Sequence, residues 1–134
     1  MSPGVFIPVL PYPEVAAAVK WLCETFGFTE RLRIGDHRAQ LIFGGASVVV
    51  GASPQPIIGG QSIMVRVPDV DRHFERARQH GAKILRPPQD FPYGERQYTV
   101  EDFAGYRWTF SQSIADVDPK DWGGVLVNVA EKEP

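Results

Sequence analysis

Apolar and polar positions follow the same order twice along this chain. An apolar run with two prolines, Val5–Pro11, predicts an edge strand, because proline cannot donate to a strand ladder. Pro13 and Glu14 predict a helix start, since proline fits the first turn and an acidic side chain there faces the positive end of the dipole. Gly27 ends this helix. Its apolar stripe recurs at helical spacing and consists of Val15, Ala18, Val19, Leu22 and Phe26. Three strands are predicted next: Thr29–Ile34, Ala39–Phe43 and Ser47–Gly51.

The second half repeats this order. Gln61–Val67 predicts a strand, and Pro68 and Asp69 open a helix that Gly81 ends. The apolar stripe of this helix consists of Val70, Phe74 and Ala77. Three further strands are predicted at Lys83–Arg86, Gln97–Glu101 and Tyr106–Gln112. The segment Pro87–Gly94 holds three prolines and is predicted to be a loop.

The two halves align at one offset of about 55 positions, which places Pro13 opposite Pro68. Two copies are too few for a solenoid, but a pair can share a cleft. We therefore expect a single domain over residues 1–134, with modules 5–52 and 61–112, a linker 53–60 and a tail 113–134.

Composition narrows the function classes. The chain has 134 residues, 43% of them hydrophobic and 22% charged, with a formal net charge of −2. This balance is typical of a globular domain and argues against a nucleic-acid partner. No run approaches the ~20 apolar residues of a membrane span, and the N-terminus lacks a basic signal region, which predicts a cytoplasmic location. Cys23 is the single cysteine, so an internal disulfide and a thiolate cluster are excluded.

Three segments resemble the vicinal oxygen chelate superfamily, which includes glyoxalase I, extradiol dioxygenases, and fosfomycin- and bleomycin-resistance proteins. They are Val65–Asp71, Gly81–Ile84 and Tyr98–Thr109, and the resemblance covers about residues 5–118. The tail Ala115–Pro119 resembles the glyoxalase-like, bleomycin-resistance-like branch. The resemblance implies an α+β fold of two βαβββ modules whose curled mixed sheets surround a cleft, and a homodimer. Whether the modules close on each other or pair with a second chain stays open.

The resemblance also implies where a metal would bind. Enzymes of the superfamily hold it through His, Gln or Glu on the first, fourth, fifth and eighth strands. Carried over to this chain, those positions are Ile7, Val49, Ser62 and Thr109. None of them is an ordinary metal ligand, so we expect no metal, no cofactor and no catalytic residue.

Other candidate ligands do not restore a site. His37 lies in a charged turn, and His73 and His80 are expected on the helix surface, seven residues and about 10 Å apart. Glu95 and Glu101 lack a histidine partner.

Alternation along the strands predicts which side chains line the cleft. On the eighth strand Trp108 and Phe110 are expected beneath the helix, with Thr109 in the cleft. On the fifth strand Met64 faces the cleft, and aromatic side chains outside these strands could add stacking walls. The expected ligand-binding residues are Ile7, Val9, Phe43, Val49, Ser62, Met64, Arg66, Tyr93, Arg107, Thr109, Ser111 and Trp122.

An apolar site with a few hydroxyls and an arginine favours binding over acid–base catalysis. The leading hypothesis is non-catalytic sequestration of an apolar, planar aromatic small molecule, an antibiotic or biosynthetic intermediate. The alternative is a metal-dependent lyase or dioxygenase with non-standard ligands. A third hypothesis is a partner-binding dimer with a filled cleft.

Overall fold

The computed structural model describes residues 7–55 and 61–126. Residues Val5 and Phe6 of the first expected strand, linker residues 56–60 and tail residues 127–134 lie outside these ranges. Within them, no helix is long and apolar enough to cross a membrane. The elements in chain order are β1 (Val9–Tyr12), α1 (Val15–Phe26), β2 (Thr29–Ile34), β3 (Arg38–Phe43), β4 (Ala46–Ala52), β5 (Ser62–Arg66), α2 (Val70–Gln79), β6 (Lys83–Phe91), β7 (Glu95–Glu101), β8 (Arg107–Ser113) and a short 3-10 turn, Pro119–Asp121.

The strands form two four-stranded mixed sheets of identical topology. We call them sheet A, in the order β1-β4-β3-β2, and sheet B, in the order β5-β8-β7-β6. The first strand of each sheet pairs parallel with the last, and the other pairs are antiparallel. The predicted repeat of strand, helix and three strands is therefore confirmed, and so is the edge position of β1.

Both helices begin and end within two residues of the predicted positions, but Pro13 lies before the first turn of α1, and Glu14 is its N-cap without a side-chain hydrogen bond. The whole predicted stripe of α1 is buried, and Gly27 ends the helix in the left-handed conformation with φ of 83°. At α2, the side chain of Asp69 accepts a hydrogen bond from the amide of Arg72 and caps the first turn. These local signals fix where each helix lies against its sheet.

The loop predicted at Pro87–Gly94 is wrong for most of its length, because strand β6 continues to Phe91. β6 is the outer strand of sheet B, where a proline without an amide hydrogen is tolerated. The pairing with β7 also shifts register twice, between Ile84 and Arg86 and between Arg86 and Gln89. These irregularities accommodate the two prolines inside a continuing strand.

A single hydrophobic core holds both modules together. It contains residues of α1, α2 and the helix-covered faces of both sheets. Phe26 of α1 contacts two rings of sheet B, Trp108 at 5.4 Å and Phe110 at 4.9 Å between centroids. Because the helix-covered faces meet in one core, the opposite face of each sheet lies on the outside of the molecule.

His73 contradicts the surface position expected for it, since it is half-buried between the two modules. Its Nε2 lies 2.8 Å from the carbonyl oxygen of Phe26 and its Nδ1 lies 2.6 Å from the hydroxyl of Tyr98. A carbonyl can only accept, so Nε2 carries the hydrogen and Nδ1 of the neutral ring accepts from Tyr98. Burial lowers the pKa of His73, which favours this neutral form.

Asp102 forms the second polar connection between the modules and is 3% exposed. Its Oδ1 accepts from the amides of Ala104 and Tyr106, both at 3.0 Å. Its Oδ2 accepts from the hydroxyl of Tyr12 at 2.7 Å and from Nε1 of Trp108 at 3.0 Å. Burial and the neighbouring carboxylate raise the pKa of Tyr12, so the phenol remains a donor. Four donors thus satisfy one buried carboxylate.

We expect Asp102→Ala to lower the free energy of unfolding by about 3–5 kcal/mol, because it leaves buried hydrogen-bond donors of both modules without an acceptor. Tyr12→Phe should cost less, about 1.5–3 kcal/mol, since the carboxylate keeps three donors. Urea unfolding followed by circular dichroism measures both. Equal losses for the two variants would contradict this account of Asp102.

Candidate functional site

The outer faces of the two sheets carry the side chains that the sequence predicts for a cleft. On β8, Trp108 and Phe110 are buried, whereas Thr109 between them is half-exposed. On β5, Met64 is 61% exposed, and its neighbours on either side are only half-exposed. The expected alternation along both strands is therefore present in the structure.

A mostly apolar cavity of about 480 Å³ lies where the β3–β4 turn approaches β5. Three of the expected ligand-binding residues line it, namely Phe43, Met64 and Arg66. Ile42 and Phe28 also line the cavity, and sequence reasoning did not select them. Ile42 lies on β3, but Phe28 lies before β2, and the meeting of the β3–β4 turn with β5 is a tertiary contact that no local pattern reports.

Three expected residues, Ile7, Val9 and Val49, lie at sheet A away from this cavity, whereas Phe43 of β3 lines it. Val49 lines a smaller recess of about 160 Å³ together with Leu32 and Ile34 of β2. Val9 pairs with Val49 and is 51% exposed, and Ile7 is half-buried just before β1. The outer face of sheet A thus combines these apolar side chains with two polar ones that line the same recess, Arg38 and Gln40.

The expected residues of sheet B form a polar outer face. Ser62 pairs with Arg107, and Met64 pairs with Thr109. The hydroxyls of Thr99 and Thr109 lie 3.0 Å apart across β7 and β8. The twelve expected residues therefore do not surround one cleft within a chain, because the outer faces of the two sheets do not enclose each other.

A hydrogen-bonded group that we call the Glu95 cluster lies at the end of sheet B. It consists of Glu95, Gln97, Ser111 and Arg66. Ser111 donates a short hydrogen bond to Oε1 of Glu95, and Nε2 of Gln97 lies 3.3 Å from the same oxygen. Nη2 of Arg66 donates to Oε2 at 3.1 Å. Ser111 and Arg66 were expected at the site, whereas Gln97 was missed, although it is a buried polar residue two positions from Glu95.

An aromatic cluster adjoins this group. The rings of Phe91 and Tyr93 stack at a centroid distance of 5.4 Å, and Trp122 meets Tyr93 edge-on at 5.5 Å. Both Tyr93 and Trp122 were expected at the site. The tail reaches this position because the carbonyl of Gly94 accepts from the amides of Ile114 and Ala115.

The four positions at which the superfamily binds metal do not fit a metal ion here. Val49 and Thr109 lie on different sheets, and with Ile7 and Ser62 they offer two hydroxyls and no imidazole or carboxylate. In residues 7–55 and 61–126, no three His, Cys, Asp or Glu side chains group as a metal site.

The sequence model of the Glyoxalase/Bleomycin resistance protein/Dioxygenase superfamily matches residues 7–110. The chain belongs to this superfamily. The crystal structure of TioX from Micromonospora sp. ML1 is similar to it, with 38% identity, a TM-score of 0.73, and coverage of 83% of this chain and 99% of TioX. The uncharacterized protein Rv0887c of Mycobacterium tuberculosis is 26% identical over 128 residues, which cover 83% of this chain and 75% of the relative.

More distant structures of the superfamily share the fold. The fosfomycin resistance protein FosX from Listeria monocytogenes has a TM-score of 0.67 at 16% identity, with 84% of this chain and 94% of FosX covered. At that identity the likeness concerns the fold. Membership in the superfamily and its two-sheet fold, both expected from the sequence, are therefore confirmed.

We expect Gly94→Ala to displace the tail from the aromatic cluster. A Cβ at this position would lie 2.2 Å from the carbonyl oxygen of Ala115. Trp122 should then leave Tyr93, and its fluorescence emission should shift to longer wavelength. Gly81→Ala is the matched control, because its φ of +79° is as unfavourable while its Cβ would meet nothing within 4 Å. Identical emission spectra for both variants would contradict this packing of the tail.

Proposed function

We propose that this protein binds and sequesters an apolar, planar aromatic small molecule without transforming it. The cavity of about 480 Å³ beside β5 carries the proposal. Its size falls in the range of roughly 300–1,000 Å³ that is typical of small-molecule sites. The few polar side chains around it suit orientation of a ligand, and the positions that hold metal in related enzymes offer no ligand set.

The side chains around the cavity favour a flat ring system. Phe43 and Phe28 form an edge-to-face pair at 5.5 Å and supply one aromatic wall. Met64 on the other side is exposed, unbranched and polarisable, which suits contact with the face of an aromatic ring. Arg66 provides a polar group at the cavity edge.

The comparisons support a natural product as the ligand class. The description of the superfamily includes resistance to bleomycin. We extend that ligand class, an antibiotic or an intermediate of its biosynthesis, to this chain. Its location in the cytoplasm and its single-domain organisation over residues 1–134 stay predictions.

We further propose that the site is completed in a homodimer. The outer face of sheet A exposes 51% of Val9, 48% of Leu32 and 46% of Ile34. Within residues 7–55 and 61–126 the helix-covered faces share one core, so a second copy of the chain can cover these exposed side chains. The outer face of a sheet from a second copy would form the missing wall of a cleft.

We expect metal-stripped protein to bind a flat aromatic ligand of the quinoline, quinoxaline, anthracycline or bleomycin type at micromolar concentration or tighter. Quenching of tryptophan fluorescence measures binding, and chromatography of the recovered ligand shows whether it is unchanged. Met64→Ala should weaken binding several-fold, because it removes the polarisable side chain that contacts the ring. Leu85→Ala, on exposed β6 outside the cavity, is the control.

Binding or turnover that appears only after a divalent metal is added would contradict this proposal. That result would support the metal-dependent lyase or dioxygenase instead. Absence of saturable binding to every compound would favour the partner-binding alternative.

We expect the protein to sediment as a dimer at micromolar concentration. The double variant Leu32→Glu and Ile34→Glu should sediment as a monomer, since it places charges on the apolar face of β2. Ala16→Glu, on the exposed face of α1, should leave the dimer intact. A monomeric wild-type protein in analytical ultracentrifugation would overturn the dimer and leave the test of ligand binding unaffected.

A further inference from the structure

Two buried side chains hold the carboxylate of Glu95 in position. Its Oε1 is bound by Ser111, which is 1% exposed, and by Gln97, which is 7% exposed. The hydroxyl of Ser111 and the amide of Gln97 also lie 3.3 Å apart, so the two donors position each other. The Glu95 side chain itself is 20% exposed. Its carboxylate is therefore a preorganised acceptor at the surface of sheet B.

The second carboxylate oxygen faces a cation that can leave. Within the described part of the chain, Oε2 accepts from Nη2 of Arg66 alone, at 3.1 Å. The Arg66 side chain is 63% exposed and lines the cavity beside β5. An exposed ion pair of this kind contributes little to stability. Arg66 thus lies between the cavity and a fixed carboxylate, and another cation can replace its guanidinium with a small loss of free energy.

The aromatic cluster adds a second feature that favours a cation at this place. Phe91 is the cross-strand partner of Glu95, so the two side chains lie on the same face of the sheet as close neighbours. Phe91 stacks on Tyr93, whose ring also meets Trp122. Aromatic faces attract cations and also stack on flat rings. Carboxylate and rings together suit a ligand that is both planar and positively charged.

The ionisation of Glu95 is consistent with this role. The hydrogen bond from Ser111 is the largest cause that lowers the pKa of Glu95, with further contributions from Gln97 and Arg66. The group is therefore a carboxylate at neutral pH.

We propose that the ligand is a cationic planar aromatic compound, with a protonated amine or amidine on a flat ring system, whose cation replaces the guanidinium of Arg66 on Oε2 of Glu95. This inference rests on the proposed function, because Arg66 lines the same cavity. Glu95 lies beside Arg66, next to the cavity rather than in its lining. An anionic ligand would gain Arg66 but would face the fixed charge of Glu95. In the Arg66–Glu95 ion pair the carboxylate is held in position and the guanidinium is not, so the site should prefer a positively charged ligand.

Two probes of similar shape and opposite charge test the inference, 9-aminoacridine as the cation and anthracene-9-carboxylate as the anion. Isothermal titration calorimetry on the full chain gives both dissociation constants. We expect the wild-type protein to bind the cation about tenfold more tightly, the order of magnitude for one hydrogen bond to a charged group. Equal affinities would overturn the inference and leave the proposed function standing. No binding of either probe would overturn both.

The variant Glu95→Gln keeps the shape and an oxygen acceptor for Ser111 but removes the charge. It should lose about tenfold in affinity for 9-aminoacridine and should not weaken binding of the anion. Glu101→Gln is the matched control, because Glu101 lies six positions along β7 on the same face and pairs with Lys83 at 3.9 Å. Equal effects of the two variants would overturn the inference, since they would show a long-range effect of net charge.

The variant Arg66→Met separates the two charges of the pair. It removes the competing cation while it keeps an unbranched side chain at the cavity edge. We expect 9-aminoacridine to bind several-fold more tightly to this variant. Weaker binding of 9-aminoacridine would show that Arg66 supports the ligand rather than competes with it, and would overturn the inference. Thermal unfolding of all three variants checks that the fold is intact.

Discussion

The arrangement of the two modules depends on how one buried charge is satisfied. Asp102 lies in the turn between β7 and β8, yet one of its four donors, Tyr12, comes from the first strand of the other module. An isolated carboxylate in a protein interior is costly unless hydrogen bonds satisfy it. The second module therefore holds a group whose full satisfaction requires the first module in place. The hydroxyl of Tyr106 adds a bond of 2.7 Å to the carbonyl of Pro11 at the same junction.

The contact between the two modules determines which faces of the sheets are exposed. Tyr12 and Asp102 draw the helix-covered faces together, and His73 bonds to the end of α1 from the other side of the core. The outer faces of both sheets are left exposed. Sheet A carries several apolar side chains there and sheet B mostly polar ones, so the two faces differ in chemistry.

Local patterns in the sequence predicted the elements well, because caps and apolar stripes act within a few residues. They failed where the conformation or burial of a residue depends on contacts with distant parts of the chain. The prolines of β6 predict a loop unless the strand is known to lie at an edge, and His73 appears exposed until the core of the other module is placed beside it. Gln97 was missed for the same reason, since its role depends on the side chain of Ser111 across the sheet. The alternation of cleft and core faces was predictable, whereas local patterns left open whether the two sheets of one chain face each other.

The alternation of buried and exposed side chains along β5 and the first half of β8 has a consequence for how such a protein can change over generations. Residues such as Trp108 and Phe110 are buried, whereas their neighbours Thr109 and Arg107 take almost no part in the core. Mutations at the second kind of position can alter what is bound at little cost in folding free energy. The two sheets, alike in topology and different in outer chemistry, illustrate this separation. A protein with this fold can in this way acquire new ligands through substitutions on the outer face of a sheet.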